Sequence, residues 1–177
     1  MSDARQYRVE ESLRDGTKVV IRAITADDKQ AMLKAYRGLE PGTVYMRFFA
    51  AHGEPTASQL RDWTEVDFVS IVRLVACVTE AGSERIIGGA SLARLTPGDA
   101  ATTEAEISFT IEEDFQNQGL AGKLLQHLAR IARALGIRRF VAETLLANQG
   151  MLAVFRRSGL RMQRRTVDGV VQVSLDL

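Results

Sequence analysis

Apolar and polar positions along this chain mostly alternate in short runs, interrupted by one long stretch of helical spacing. Residues 7–13 and 18–24 flank Asp15-Gly16 and predict an opening hairpin closed by a two-residue turn. Thr25-Ala-Asp-Asp28 then reads as the cap of a helix that runs to about Gly38 and includes Ala31, Leu33 and Tyr36. Pro41-Gly42 breaks the chain. The aromatic-rich segment at 45–49 reads as a short turn or helical piece, and a second helix is expected over about 56–66. Strands follow at 69–79 and 85–95, joined as a hairpin through Ala81-Gly82-Ser83-Glu84. Thr96-Pro97-Gly98-Asp99 opens a loop, and 104–112 alternates as the next strand.

Leu120, Leu124, Leu128, Ile131 and Leu135 then recur at helical spacing. Residues 138–145 are rich in Val and Phe and read as a strand, and 148–158 as a helix. A last hairpin pairs 160–166 with 170–177 around Asp168-Gly169. A meander followed by βαβα and a terminal hairpin gives the α/β class, with a mixed central sheet flanked by helices. The chain carries no repeat and no linker, so 1–177 is expected to form a single domain.

Composition narrows the class. The net charge of +1 gives no argument for a nucleic-acid or membrane partner, and no apolar run approaches the ~20 residues that span a bilayer. Met-Ser-Asp-Ala-Arg-Gln at the N-terminus lacks the apolar core of a secretory signal, which favours a cytoplasmic protein. The single cysteine, Cys77, lies in an apolar run and reads as a buried structural thiol in a reducing compartment. Two scattered histidines, His52 and His127, and one cysteine offer no metal-ligand spacing, so no metal is expected. From Phe115 to Arg165 every lysine or arginine is opposed by one acid only, Glu143. That stripe is a solvated helix face, with some members available as a rim for phosphates; it lacks the aromatic interleaving of a base-stacking surface.

The chemistry concentrates at Gln116-Asn117-Gln118-Gly119-Leu120-Ala121-Gly122. A strand that turns through small residues straight into a helix leaves the first helical N–H groups unpaired, beside the positive end of the helix dipole. Gln116-x-x-Gly119-x-Ala121 fits the Gln/Arg-x-x-Gly-x-Gly/Ala pattern of the acetyl-CoA pyrophosphate loop, and the chain resembles the GNAT superfamily of N-acetyltransferases. Asn148 through Phe155 to Gly159-Leu160 is similar to that family's second signature. The stretch from Gly16 through Asp27-Asp28 is similar to its first strand and helix entry. Tyr45-Met-Arg47-Phe48-Phe49 and Trp63-Thr-Glu-Val-Asp67 resemble a narrower branch, the bacterial protein lysine acetyltransferases, which includes enzymes acting on acyl-CoA synthetases. The family resemblance covers roughly Gly16 to the C-terminus.

The resemblance implies direct transfer of an acetyl group from acetyl-CoA to an amine. It implies that backbone at Gln118, Gly119, Leu120, Ala121 and Gly122 holds the pyrophosphate, with Gln116 bracing the loop. Pantetheine would pair with backbone near Ile111, and Asn148 would hold the pantetheine arm or simply cap its helix. Glu106 is the expected base: it shares a strand face with Ser108 and Thr110, opposite Ile107, Phe109 and Ile111, unless a bulge breaks the alternation. Glu104, Glu112 and Glu113 are weaker candidates.

One position departs from the family. Phe155 stands where many members carry a tyrosine that protonates the leaving thiolate, which leaves Tyr36 or Tyr45, or water, for that task. Three readings therefore stand: acetylation of a protein lysine, acetylation of a small amine in a closed and acidic pocket, or a non-catalytic acyl-CoA-binding module. A monomer or a homodimer is expected.

Overall fold

The computed structural model describes residues 3–48, 53–96 and 101–177. Phe49, His52 and Pro97-Gly98-Asp99, which entered the sequence reading, lie outside the described residues. Among the described residues eight strands form one sheet: β1 (Arg8–Ser12), β2 (Lys18–Ala23), β3 (Ile71–Glu80), β4 (Ser83–Arg94), β5 (Glu104–Ile111), β6 (Arg139–Leu145), β7 (Arg161–Val167) and β8 (Val170–Asp176). Their order is β1-β2-β3-β4-β5-β6-β8-β7, and every neighbouring pair is antiparallel except β5 and β6. Among the described residues five α-helices cover it: α1 (Lys29–Arg37), α2 (Pro41–Phe48), α3 (Ala57–Thr64), α4 (Leu120–Ala134) and α5 (Gln149–Arg157).

Helix α4 supplies the largest share of helical burial. Leu120, Leu124, Leu125, Leu128 and Ile131 are all at most 2% exposed and face β4 and β5. Each such side chain contributes about 1.5–3 kcal/mol relative to exposure. Helix α5 packs beside α4, while α1 lies against β4 and α3, and α2 against β5 and β6. Consecutive residues of β5 therefore look in opposite directions. Phe109 meets Phe155 of α5 edge-on at 6.2 Å, whereas Ser108 meets Arg47 of α2.

The entry to α1 is held from below. Arg22 of β2 grips Asp28 with both terminal nitrogens, at 2.9 and 2.8 Å, and its Nε donates to Glu84 at 2.8 Å. Burial would raise the Asp28 pKa, but the Arg22 guanidinium and the Thr25 N–H hold the carboxyl below its ordinary range.

Two local expectations change. The first hairpin is not closed by two residues. Leu13 N–H donates to the Thr17 carbonyl at 2.9 Å, so Arg14, Asp15 and Gly16 form a three-residue turn with Gly16 at φ +90°. Pro41-Gly42 does not break the chain either; it starts α2, because proline at the first helical position loses no helical bond. The register between β4 and β5 runs unbroken from Gly88↔Ile111 to Arg94↔Ala105, so the alternation that sets Glu106 opposite Ile107 holds through β5. An irregularity falls instead between β3 and β4, at Ala76/Cys77.

Candidate active site

The parallel pairing of β5 with β6 is brief: Glu104↔Arg139, Ala105↔Phe140 and Glu106↔Val141, and then the strands part. Even-numbered residues of β5 bond toward β4, as Glu104 does through its carbonyl and Glu112, just beyond, through its N–H. Alternation turns the odd-numbered peptide groups the other way: the Ile107 N–H closes the Glu106↔Val141 rung, and the peptide groups of Phe109 and Ile111 face the gap. An interior strand with an open edge accepts an extended chain bearing amides.

At the wide end of this gap the chain turns into α4. Gly119 is the N-cap at φ +86°, a conformation only glycine adopts without strain. The Lys123 N–H bonds the Gly119 carbonyl at 3.2 Å, so those of Leu120, Ala121 and Gly122 point out of the helix end. The opposite face of the turn is already satisfied. Arg14, at the first hairpin turn, donates its backbone N–H to the Gln118 carbonyl and Nη1 to the Asn117 carbonyl, both at 3.1 Å. The turn's carbonyls are thus occupied and a cation stands beside its donors, an arrangement suited to a phosphate. The Gln116 side chain spans the Ile111 carbonyl at 3.0 Å and Thr43 Oγ1 at 3.2 Å, which ties the turn to β5 and α2. Asn148 caps α5, accepting from the Met151 N–H at 3.1 Å.

Glu106 occupies the last paired position before β5 and β6 diverge, and it is exposed. The other glutamates considered are engaged. Glu104 pairs with Arg139, Glu112 with Arg85 at 2.5 Å, and Glu113 accepts the Glu40 N–H at 3.0 Å. Among the described residues Glu106 makes no hydrogen bond or ion pair, although its charge is felt by the half-buried Arg47. It borders an open groove of about 610 Å³ that continues along Val141, Glu143 and Gln172.

On the helix-α1 side of β5 lies a second, smaller cleft of about 120 Å³, walled by Met32, Tyr36, Leu39 and Trp63. Arg47 Nη2 donates to Ser108 Oγ at 3.0 Å, and Ser108 and Ser91 share a hydrogen bond of 2.9 Å. Arg73 enters the same cleft and donates Nη1 to the Trp63 carbonyl at 2.7 Å. Arg47 and Arg73 line it beside one carboxylate, Glu112, which is held by Arg85.

Phe155 is 1% exposed, in the core beneath the gap. Tyr36 lines the small cleft and donates to the Gly53 carbonyl at 3.0 Å, while Tyr45 is 48% exposed. Cys77 is buried and its thiol is pushed up to about 11 by burial. His127 is buried too, between Tyr7 Oη at 2.6 Å and Glu11 at 3.0 Å, within a network that Lys123 completes. Among the described residues no cluster of His, Cys, Asp and Glu could hold a metal, and no helix is long and apolar enough to cross a membrane.

The profile of the acetyltransferase (GNAT) domain family matches residues 18–161. The chain belongs to the GNAT acetyltransferases. This GNAT protein is 30% identical to an acetyltransferase of Pseudomonas aeruginosa over 141 residues, 80% of this chain and 74% of that one. It is 29% identical to acetyltransferase Pat of Mycolicibacterium smegmatis, covering 93% of this chain but 47% of the relative; the chain spans about half of that protein's length. Among solved structures it superimposes on the GNAT domain of S. lividans PAT with a TM-score of 0.86 and 36% identity, over 96% of this chain and 97% of that one. An acetyltransferase of Salmonella typhimurium, solved with acetyl-CoA, shares the fold at a TM-score of 0.68 and 18% identity, over 90% of this chain and 92% of that one. The GNAT chain is therefore an acetyl-CoA-dependent N-acetyltransferase with an amine acceptor. Neither Arg14 nor Arg73 carries a motif in the sequence. Arg14 reaches the turn only because the first hairpin closes with three residues, and Arg73 enters the cleft only through strand register.

Proposed function

We propose that this GNAT acetyltransferase moves the acetyl group of acetyl-CoA to the side-chain amine of a protein lysine, with Glu106 as general base. The observation that carries the reading is the state of Glu106: exposed, without a bond of its own among the described residues, at the fork between β5 and β6. The open groove beside it supports a macromolecular acceptor, and the resemblance of the segments around Arg47 and Trp63 to the bacterial protein lysine acetyltransferases points the same way.

A lysine amine, with a pKa near 10.4, is neutral in only about one molecule in 2,500 at pH 7. Glu106 takes the proton of the incoming ammonium, directly or through one water, and the freed nitrogen attacks the thioester carbonyl carbon. The C–N bond forms, negative charge builds on the carbonyl oxygen, the attacking nitrogen releases its second proton to solvent, and the C–S bond breaks to release the CoA thiolate. The peptide N–H of Phe109, the first on β5 to face the gap beyond the last β5–β6 rung, is a donor available to that oxygen. Backbone at Gln118, Gly119, Leu120, Ala121 and Gly122 would hold the pyrophosphate, Gln116 would brace the turn, and Ile111 would pair with pantetheine. Asn148 would line its path. Phe155 cannot supply a proton to the thiolate, so solvent in the open gap does.

Incubation of the protein and its Glu106→Gln variant with labelled acetyl-CoA and fractionated cell extract tests the proposal. Expected is label on discrete protein bands, lost in the variant, with kcat lowered ~10²- to 10⁴-fold and acetyl-CoA affinity unchanged. Label confined to small molecules would move the acceptor to a free amine. Undiminished turnover in the variant would remove Glu106 as the base.

A further inference from the structure

Three side chains in the small cleft form one row across the sheet. Arg73 of β3 sits opposite Ser91 of β4, and Ser91 opposite Ser108 of β5. Arg47 of α2 closes the row from above through its bond to Ser108. The walls around them include the apolar Met32, Leu39 and the ring of Trp63, and the carboxylate that also lines the cleft, Glu112, is already paired with Arg85.

Two other shielded arginines, Arg22 on this face of the sheet and Arg94 on the opposite face, show what satisfies such a group here. Arg22 meets two carboxylates, Asp28 and Glu84, and Arg94 meets three carbonyls, those of Val69, Thr102 and Leu135. Arg73 donates one hydrogen bond, to the Trp63 carbonyl, and among the described residues no carboxylate pairs with it. Withdrawal from water, and then the nearby charge of Arg47, push its pKa down to about 10. A guanidinium in apolar surroundings without a counter-charge is costly unless a ligand supplies one. Its planar fork matches a carboxylate.

We propose that the row Arg73–Ser91–Ser108, closed by Arg47, is a carboxylate-binding subsite that reads an acidic side chain close to the target lysine. The proposal rests on the acceptor reaching Glu106 as described above. Spacing favours a side chain of the acceptor. Glu106 and Ser108 are two residues apart on β5, roughly 7 Å, and Arg73 lies two strands further, roughly 10 Å. A free α-amino acid carries its carboxylate one carbon from its amine and cannot reach both ends. A peptide with Asp or Glu near its lysine can. The same carboxylate chemistry could instead arrive on the donor, as the distal group of a dicarboxylic acyl thioester.

Trp63 is the sole tryptophan and walls the cleft, so its emission reports occupancy without any turnover. Glutarate should change that emission saturably and its neutral isostere glutaramide should not. Arg73→Met should weaken glutarate binding at least tenfold, the scale of one lost charged hydrogen bond, and Arg73→Lys should restore most of it. Arg73→Gln replaces Arg73→Met if the latter does not melt cooperatively. In turnover, the kcat/KM ratio between lysine peptides bearing Glu and those bearing Gln should be about ten or more, and should fall to about one in Arg73→Met. A ratio that moves only when succinyl-CoA replaces acetyl-CoA would keep the subsite and assign the carboxylate to the acyl group. Equal response to glutarate and glutaramide, or glutarate binding unchanged in a folded Arg73→Met protein, would overturn the proposal. Glutarate binding with no peptide acetylated would support the subsite and count against the lysine acceptor.

Discussion

Replacing Gly119 separates backbone strain from charge at the turn before α4. At φ +86° any residue with a Cβ costs about 1–2 kcal/mol. The new Cβ would lie 3.6 Å from Arg14 Nε and 3.8 Å from its Cγ, ordinary contact distances, so no clash adds to that cost. Gly119→Ala should therefore lower Tm by roughly 2–8 °C, at the ~2–4 °C per kcal/mol of a chain this size, and leave acetyl-CoA binding within a small factor. Gly119→Glu carries the same strain plus a carboxylate. At roughly 6 Å from a phosphate charge and an effective dielectric near 20, the repulsion is about 3 kcal/mol. Arg14, being exposed, would return at most about 1 kcal/mol by pairing with the new carboxylate. The remaining ~2–3 kcal/mol predicts binding weaker by roughly 30- to 150-fold. Titration calorimetry with acetyl-CoA, run beside Gly119→Gln as the neutral control and repeated at higher salt, isolates the charge, whose effect should shrink with ionic strength. If Glu and Gln variants bind acetyl-CoA equally, the pyrophosphate does not lie at this turn.

Three further outcomes are expected. Phe155→Tyr introduces a hydroxyl at a position 1% exposed and packed on Phe109; unless the gap's solvent reaches it, urea unfolding should show a loss of about 1–3 kcal/mol. Asp28→Asn removes one side of the Arg22 grip and should cost about 3 kcal/mol at neutral pH. Because the Asp28 pKa is lowered in the fold, the pair's stabilisation is complete above about pH 4 and disappears as pH falls through the lower folded value, so the variant's deficit should vanish in acid. Burial, only partly opposed by Glu11, lowers the His127 pKa. The unfolded chain then takes up a proton that the fold resists, and Tm should fall as pH drops below about 6.5. The His127→Gln protein should show a flatter profile.

Local patterning made most of the strands and helices legible, because alternation and helical spacing record which face is buried. Glu104 to Ile111 and the leucines of α4 are clear examples, with boundaries off by a residue or two at β3, β4 and β6. The turn before α4 was legible for a different reason: its residue types are those that a helix end open to an anion requires. Chain breaks were read less well. Pro41 signals a boundary without saying whether a helix ends or begins there, and Asp15-Gly16 signals a turn without its length. The cleft was not legible at all. Arg73, Ser91 and Ser108 are brought together by register between strands, and Arg47 by the docking of α2, neither of which leaves a trace in the spacing along the chain. The engagement of Glu104, Glu112 and Glu113 likewise depends on partners far away in sequence.

The three rungs that join β5 to β6 have a mechanical consequence. Among the described residues they are the sole ladder between a raft of five strands and a raft of three, with helices, α2 against both β5 and β6 among them, as the remaining struts. On the proposed assignment, a co-substrate lying in the fork would extend that ladder and act as a structural member as well as a reagent. At a concentration a hundred times its Kd, any ligand specific to the folded form adds about 2.7 kcal/mol; here that gain would fall on the seam between the rafts. Rigidity of the molecule would then follow the supply of its own donor, with each release of CoA loosening the frame that must admit the next acetyl-CoA.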